Sequence, residues 1–384
     1  MQQTVANIFA FADVKINGGR PWDIIVHNDR FYKRVLGGGL LGLGESYMDK
    51  DWDCKDLPEM VYRSLLADLE TKVNKLSWHD KIQGLQAKFT NMQGLRRAYV
   101  VGEHYDIGNE LYEYMLDKRL TYTCGYWRNG AKNLDEAEEA KIDLICRKIG
   151  LKKGDRVLDI GCGWGSFMKF AAEKYGVSSL GITVSKEQIA LGEKMSKGLP
   201  VEFRFQDYRD PIMDADGRPE MFDHIVSVGM FEHVGPKNYQ EFMEVVYKHL
   251  KPKGIFLLHT IGQLTSKTTN DPWTHKYIFP NSVAPSLAQI AKSVEGLFMI
   301  EDLHEFGTDY EPTLLAWHSN FMKHWDDIKE IKDQEGKQKY TKRFRRMWEY
   351  YLLIAAGLSR SQKATLWQIV ITRGDIPGGY KSIR

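Results

Sequence analysis

No stretch of this chain is apolar over the roughly 20 residues needed to span a bilayer, and Met1-Gln2-Gln3-Thr4 lacks the basic flank of a secretory signal. A spanning or exported chain is not expected, so any lipid contact would be peripheral. Cysteine is scarce. Cys54, Cys124, Cys146 and Cys162 form no C-x-x-C pair and no zinc spacing. That argues against a disulfide framework or a metal site, and for free thiols in the cytoplasm. Net charge is nearly absent: +2 over 384 residues, of which 27% are charged and 43% hydrophobic. In a chain so balanced no global charge selects a partner, and no nucleic-acid partner is expected. Locally the balance breaks. Residues 337–384 carry eleven Lys or Arg, including Lys342, Arg343, Arg345 and Arg346, against only Glu349 and Asp375. That excess is expected to face an anionic surface. Internal repeats and low-complexity tracts are also absent.

At 384 residues the chain exceeds what one core usually holds, so two domains are expected. The larger is organised around Val157-Leu158-Asp159-Ile160-Gly161-Cys162-Gly163-Trp164-Gly165. Its first four residues read as the end of a buried parallel strand. The glycines then allow a tight turn into a helix through Ser166–Ala172, with a ligand lying directly on backbone. The spacing is G-x-G-x-G, not the G-x-G-x-x-G that seats a pyrophosphate. S-adenosylmethionine (AdoMet), which has no phosphate, fits better; a bare strand-to-helix turn would use the same glycines.

Beyond Val100 strands and helices alternate. Strands are expected at Arg156–Ile160, Ser179–Val184, Val201–Gln206, His224–Val228 and Gly254–Ile261, with helical stretches such as Asp135–Ile149 and Tyr239–His249. This predicts an α/β fold, a doubly wound, Rossmann-like methyltransferase domain whose ligands gather at the carboxyl ends of its strands. After the second strand, Thr183 stands where an acidic residue would be expected to hold ribose hydroxyls. Its hydroxyl and Gln188 can accept such bonds; a plain β-branched strand residue is the alternative. Gln206 and Asp207 end the third strand and suit the adenine amino group, or a surface turn. Glu232 follows the fourth strand and His259 lies in the fifth, so the two are expected to converge beside the cofactor. Buried in apolar company, such groups need partners or a ligand.

Residues 1–75 read as a small α+β domain. It has a strand-then-turn pattern over Asp13–Gly19, then Trp22–Val26, a glycine cluster from Gly37 to Gly44 and a helix near Leu57–Leu69. It shows no catalytic constellation. Residues 76–100 read as a linker, and 101–384 as the catalytic domain.

Several segments together resemble the cyclopropane fatty acid synthase family: Tyr105–Asn109, Tyr122–Trp127, the glycine loop, Gly229–Tyr239, His259–Gly262, Asp271–Trp273, Lys276–Pro280 and Phe306–Tyr310. The glycine loop is common to many methyltransferases. Gly229–Tyr239 combined with Tyr277–Pro280 and the N-terminal domain is far more specific. The resemblance implies transfer of a methylene from AdoMet across a cis double bond of a phospholipid acyl chain, with residues 1–75 docking to lipid. It implies cofactor contacts at Tyr122, Thr123, Gly161, Gly163, Thr183, Gln188, Gln206 and Asp207. It also implies a bicarbonate pocket formed by Cys124, Gly229, Glu232, His259, Ile261 and Tyr310.

The implied reaction needs such a pocket. An alkene that attacks the sulfonium methyl leaves a carbocation, and the ring closes only when the new methyl loses a proton to a nearby base. His259, Tyr310 and backbone N–H groups are expected to hold the anion and Glu232 to orient it, with Phe231 or Tyr277 placed to stabilise the cation. Some relatives carry a cysteine after the paired tyrosines of a C-terminal helix. Tyr350–Ala356 has none, which excludes a covalent cysteine at that position. Withdrawing about eight to ten CH₂ groups from lipid costs roughly 6–8 kcal/mol, so an apolar trough must replace the bilayer. The N-terminal domain and a helix over Tyr340–Leu358 are the expected contacts, on the inner face of an anionic membrane, with a homodimer left open. The rivals are an N-methyltransferase of small amines and a non-catalytic lipid-binding protein.

Overall fold

The computed structural model describes residues 1–69 and 107–384, which fall into two compact units. The first comprises residues 1–69, 269–280 and 310–364, and the second 107–268, 281–309 and 365–384. The sequence boundaries at 75 and 100, the linker between them, and Tyr105 and Asp106 lie outside the described residues. No helix among the described residues is long and apolar enough to cross a membrane.

The first unit is mainly helical. The glycine cluster 37–44 lies inside the helix Arg30–Met48, which kinks at Gly39. Strand β1 (Ile25–Val26) pairs antiparallel with β2 (Trp52–Asp53). The strand expected over Asp13–Gly19 does not form, because side chains take its backbone groups. Asp23 accepts the Lys15 and Arg20 N–H groups at 2.9 Å each, and Asn17 accepts that of Val26 at 2.8 Å. Such local bonds compete with a ladder, and only an isolated bridge, Ile16 to Ile24, remains.

The helix Leu57–Leu66 starts on Asp56, which accepts the Glu59 N–H, with Pro58 in the first turn. The helix Lys342–Arg360 starts on Thr341, which accepts the Phe344 N–H at 3.1 Å. It buries Trp348, Tyr351, Leu352 and Ala356, spaced to share one face. A Cβ at its Gly357 would lie 2.5 Å from the Pro58 carbonyl oxygen. That close packing joins this late helix to the N-terminal residues. Its arginines are paired inside the unit: Arg343 with Asp49 at 2.8 Å, Arg346 with Asp53 at 2.7 Å, and Arg360 with Glu59 at 2.8 Å and Glu311 at 2.6 Å.

The second unit is built on β3 (Arg156–Ile160), β4 (Ser178–Thr183), β5 (Val201–Phe205), β6 (Phe222–Val228), β7 (Leu250–Gln263), β8 (Met299–Glu305) and β9 (Ala364–Thr372). They form one sheet in the order β5-β4-β3-β6-β7-β9-β8. The five expected strands, β3 to β7, pair parallel in register. Alternation along β3 sends Leu158 and Ile160 into one core with Phe231, Phe242 and Phe256, and Val157 into another with Phe167, Met168 and Leu257. Both faces are thus covered, as a parallel sheet requires. The strand order reverses between β3 and β6, and the carboxyl ends there form the ligand crevice of such folds.

Strands β8 and β9, which pair antiparallel, were not foreseen. Along β8 the polarity is inverted: Asp302 and His304 are buried while Met299 and Leu303 are exposed. Asp302 pairs with Arg384 at 2.6 Å, and His304 Nδ1 lies 3.0 Å from Lys148 Nζ.

Candidate functional site

A cavity of about 180 Å³ opens at the carboxyl ends of β3 to β6. All of the residues that the family resemblance assigns to the cofactor line it: Gly161 and Gly163 after β3, Thr183 and Gln188 at β4, Gln206 and Asp207 after β5, and Tyr122 and Thr123 ahead of the sheet. The loop after β3 is tied to β4, since Ile182 O accepts the N–H groups of Gly161 at 2.9 Å and Cys162 at 3.2 Å. The two glycines are required for different reasons. A Cβ on Gly161 would lie 2.5 Å from Met230, a protein contact, whereas one on Gly163 would meet no protein atom within 4 Å. Both have left-handed backbone, with φ of 83° and 55°, so Gly163 combines that conformation with open space at the cavity.

The Thr183 hydroxyl lies 3.0 Å from Gln188 Oε1 and accepts the Ser185 N–H at 3.3 Å. The Gln206 amide donates to Asp210 O and Pro211 O, at 3.1 and 3.3 Å. Asp207 is ion-paired with Arg209 at 2.7 Å, and both are almost fully buried. Gln206 and Asp207 therefore bond within their own turn as well as lining the cavity.

The second set of expected residues gathers at β6 and β7. Gly229 N–H donates to His259 O at 2.9 Å, and a Cβ at Gly229 would lie 2.5 Å from Thr123 Cγ2. Glu232 stands in the single helical turn after β6. Its Oε1 accepts the Ile261 N–H at 2.6 Å, and its buried Oε2 has no partner among the described residues. Burial pushes this carboxyl up to about 7, against the Ile261 N–H bond; the Thr260 hydroxyl is spent on Ile261 O at 3.0 Å. His259 is fully buried, and burial, with the charges of Lys141 and Lys148, holds it well below its usual range. Its Nδ1 faces Gln368 Nε2 at 3.4 Å, and its Nε2 has no partner among the described residues. The Cys124 thiol is buried, 3.2 Å from the Gly125 carbonyl.

Tyr310 opens the helix Tyr310–Lys323 of the first unit. The residue before it, Asp309, belongs to the second, where it accepts the Trp127 N–H at 2.7 Å and pairs with Arg128 at 3.1 Å. Phe231 is fully buried in the core, with one ring face stacked on Tyr239 at 4.3 Å between centroids, and does not line the cavity. The Tyr277 hydroxyl donates to Glu45 within the first unit at 2.8 Å.

Three cavity residues escaped the sequence reading. Trp164 donates from Nε1 to Asn109 Oδ1 at 2.8 Å and packs on Tyr112, which in turn meets Tyr122. Asp159 has an unpartnered buried Oδ1 and is pushed up to about 7 by burial, against the Lys141 charge. Lys141 donates to Thr123 Oγ1 at 2.6 Å. The first two lie within the glycine stretch, where a polar residue at a buried strand end is the available signal. Lys141, on a separate helix, carries none.

Comparison with known proteins bears on the fold and the family. Coclaurine N-methyltransferase bound to N-methylheliamine and SAH superposes with a TM-score of 0.71 at 21% identity, over 87% of this chain and all (100%) of that one, a likeness of fold. The cyclopropane synthase MmaA2 from Mycobacterium tuberculosis matches with a TM-score of 0.63 at 27% identity, over 73% of this chain and 99% of that one. The fold is that of the AdoMet-dependent methyltransferases. Residues 93–369 match the family of mycolic acid cyclopropane synthetases. The cyclopropane-fatty-acyl-phospholipid synthase of Escherichia coli (strain K12) is 47% identical over 374 residues, 96% of this chain and 93% of that protein. This chain belongs to the mycolic acid cyclopropane synthetase family and is an AdoMet-dependent enzyme of the methyltransferase class.

Proposed function

We propose that this enzyme transfers a methylene from AdoMet to the cis double bond of an unsaturated phospholipid acyl chain, closing a cyclopropane ring and releasing S-adenosylhomocysteine. The observation that carries this reading is the pair Glu232 and His259. Two buried titratable groups at neighbouring strand ends each keep one unpartnered atom, next to Gly229 at the cavity wall. The identity with the E. coli phospholipid synthase supports the substrate class.

AdoMet, when bound, supplies an electrophilic sulfonium methyl. The residues around the cavity would hold it: the loop at Gly161 and Gly163 would admit it against backbone, and Thr183 with Gln188 would offer hydroxyl and amide partners. Gln206 and Asp207 flank the same cavity, with Tyr122 and Thr123 on its near wall. The orphaned Asp159 oxygen suits an ammonium group.

Bicarbonate suits the unpartnered atoms of Glu232 and His259, where it would supply a mobile proton acceptor beside the transferred carbon. A Glu232 carboxyl held near 7 carries a proton in much of the population, so it shares a hydrogen bond with an anion and does not repel it. Gln368 Nε2 lies 3.4 Å from His259 Nδ1; with the amide donating, the imidazole proton sits on Nε2 and can be given to the anion. The Ile261 N–H keeps the Glu232 carboxyl from turning away. Cys124 stands beside this set without bonding to substrate, and Gly229 leaves it room. The acyl chain reaches the site from an anionic membrane surface to which the protein binds peripherally.

Incubation with AdoMet and an unsaturated phosphatidylglycerol tests this. Mass spectrometry should show a gain of one CH₂ per altered chain, and proton NMR the loss of olefinic signals. Retained olefinic signals, or methylation confined to amines, would overturn the reading.

A further inference from the structure

We propose that Lys141 is a specificity-determining residue of the cofactor site: it fixes the Thr123 hydroxyl as a donor toward the cavity and makes the site selective for a ligand bearing a free carboxylate. The inference rests on the AdoMet reading above and adds a residue to it.

The helix Leu134–Lys148 turns Glu138 and Lys141 inward, with exposures of 0% and 1%. A buried ammonium must be met by acceptors. Lys141 Nζ finds Thr123 Oγ1 at 2.6 Å and Glu138 Oε2 at 3.1 Å, and its side chain lines the cavity. An ammonium only donates, so the Thr123 oxygen is the acceptor in this bond and its own proton must point elsewhere. No other hydrogen-bond partner of that hydroxyl is found among the described residues, and Thr123 also lines the cavity. The hydroxyl is therefore a donor into the cavity with a positive charge directly behind it. An anionic oxygen is the matching group, and AdoMet has one anion, its carboxylate.

Burial raises the carboxyls of Glu138 and Asp159, in each case outweighing the nearby Lys141. Glu138 Oε2 lies 3.1 Å from Nζ but does not line the cavity, whereas Thr123 does, so Thr123 is the route by which the lysine acts on a ligand.

The test is calorimetry on the full chain with two ligands, AdoMet and decarboxylated AdoMet. For the wild type, removing the carboxylate should weaken binding by about ten- to a hundredfold, the range for a hydrogen bond to a charged group. In Lys141→Met that ratio should collapse toward one, through weaker AdoMet binding and not tighter binding of the analogue. The KM for AdoMet should rise with kcat largely kept, and Lys141→Arg should restore part of the ratio. A ratio unchanged in Lys141→Met would overturn the proposal and leave Lys141 as a counter-ion to Glu138. Should that variant fail to fold by stranding Glu138, the double variant Glu138→Gln/Lys141→Met removes both partners, and the same ratio decides. Wild-type chain that binds neither ligand would overturn the AdoMet reading itself. Equal binding of both by the wild type would overturn only the role of Lys141.

Discussion

Glu232 Oε1 accepts the Ile261 N–H at 2.6 Å, while its Oε2, equally buried, accepts nothing among the described residues. One oxygen sets the direction of the carboxyl, and the other is left for a proton or a ligand. A buried group in this state is costly unless something completes it, which is why the first prediction is placed on it.

Glu232→Gln should slow ring formation by roughly 10²–10⁴, the scale of a general acid–base contribution, while AdoMet affinity stays within a few-fold of wild type. Cys124→Ser should be milder. Enzyme stripped of carbon dioxide and then resupplied with bicarbonate at constant pH should lose and regain activity. Full activity with the ion verified absent would assign the proton to Glu232 or His259 directly.

The raised carboxyls of the ligand-free protein should make it lose stability as pH rises from about 6 to 8, opposed above about 7 by Lys148, which burial lowers to about 7 while the unfolded lysine keeps its proton. Burial raises Glu138 to about 8, and Asp159 and Glu232 to about 7, above the roughly 4 of unfolded carboxyls. The folded state then holds protons that the unfolded chain has released, so the stability these groups contribute is full below pH of about 4 and is lost through 7 and 8. His233 and His259, kept neutral by burial, act oppositely and lower stability only as pH falls below about 6.5. Thermal midpoints across this range would check the slope, and Glu138→Gln should flatten it; an unchanged slope would remove Glu138 as its source.

The two cavity glycines should separate. Gly163→Val should abolish AdoMet binding, with a stability loss limited to the roughly 1–2 kcal/mol of one left-handed side chain, because its Cβ meets no protein atom. Gly161→Val should lower the thermal midpoint further, since it collides with Met230. Calorimetry and thermal melts on both variants provide the comparison; normal AdoMet affinity in Gly163→Val would take the loop out of the site.

Vesicle association should favour anionic lipid and weaken with salt, though gently. Arg343, Arg346, Arg360 and Arg384 are paired with acids of their own units. Lys342 is exposed, with no acidic partner among the described residues. Lys342→Glu should therefore reduce cosedimentation at low ionic strength. Binding indifferent to lipid charge and to salt would discard the electrostatic part of the docking proposal.

The sequence by itself determined the parallel core of the sheet and the placing of its ligand end. Buried parallel strands read as short apolar runs between amphipathic helices, and glycines at a strand end announce a close backbone approach. Glu232 and His259 were legible for the same reason, because residues at the ends of neighbouring parallel strands must meet. Other features were decided only in three dimensions. β8 hides polar side chains and exposes apolar ones, so its pattern says nothing until Lys148 and Arg384 are packed against it. The basic stretch near residue 345 looked free because charge was summed along the chain, whereas pairing depends on distance, and Asp49 and Asp53 come from nearly three hundred residues away. Lys141 shows the limit most plainly. Helical spacing puts it on one face with Glu138, but which face of the helix is covered, and by what, is set by the segment that packs on it, and that segment carries Thr123.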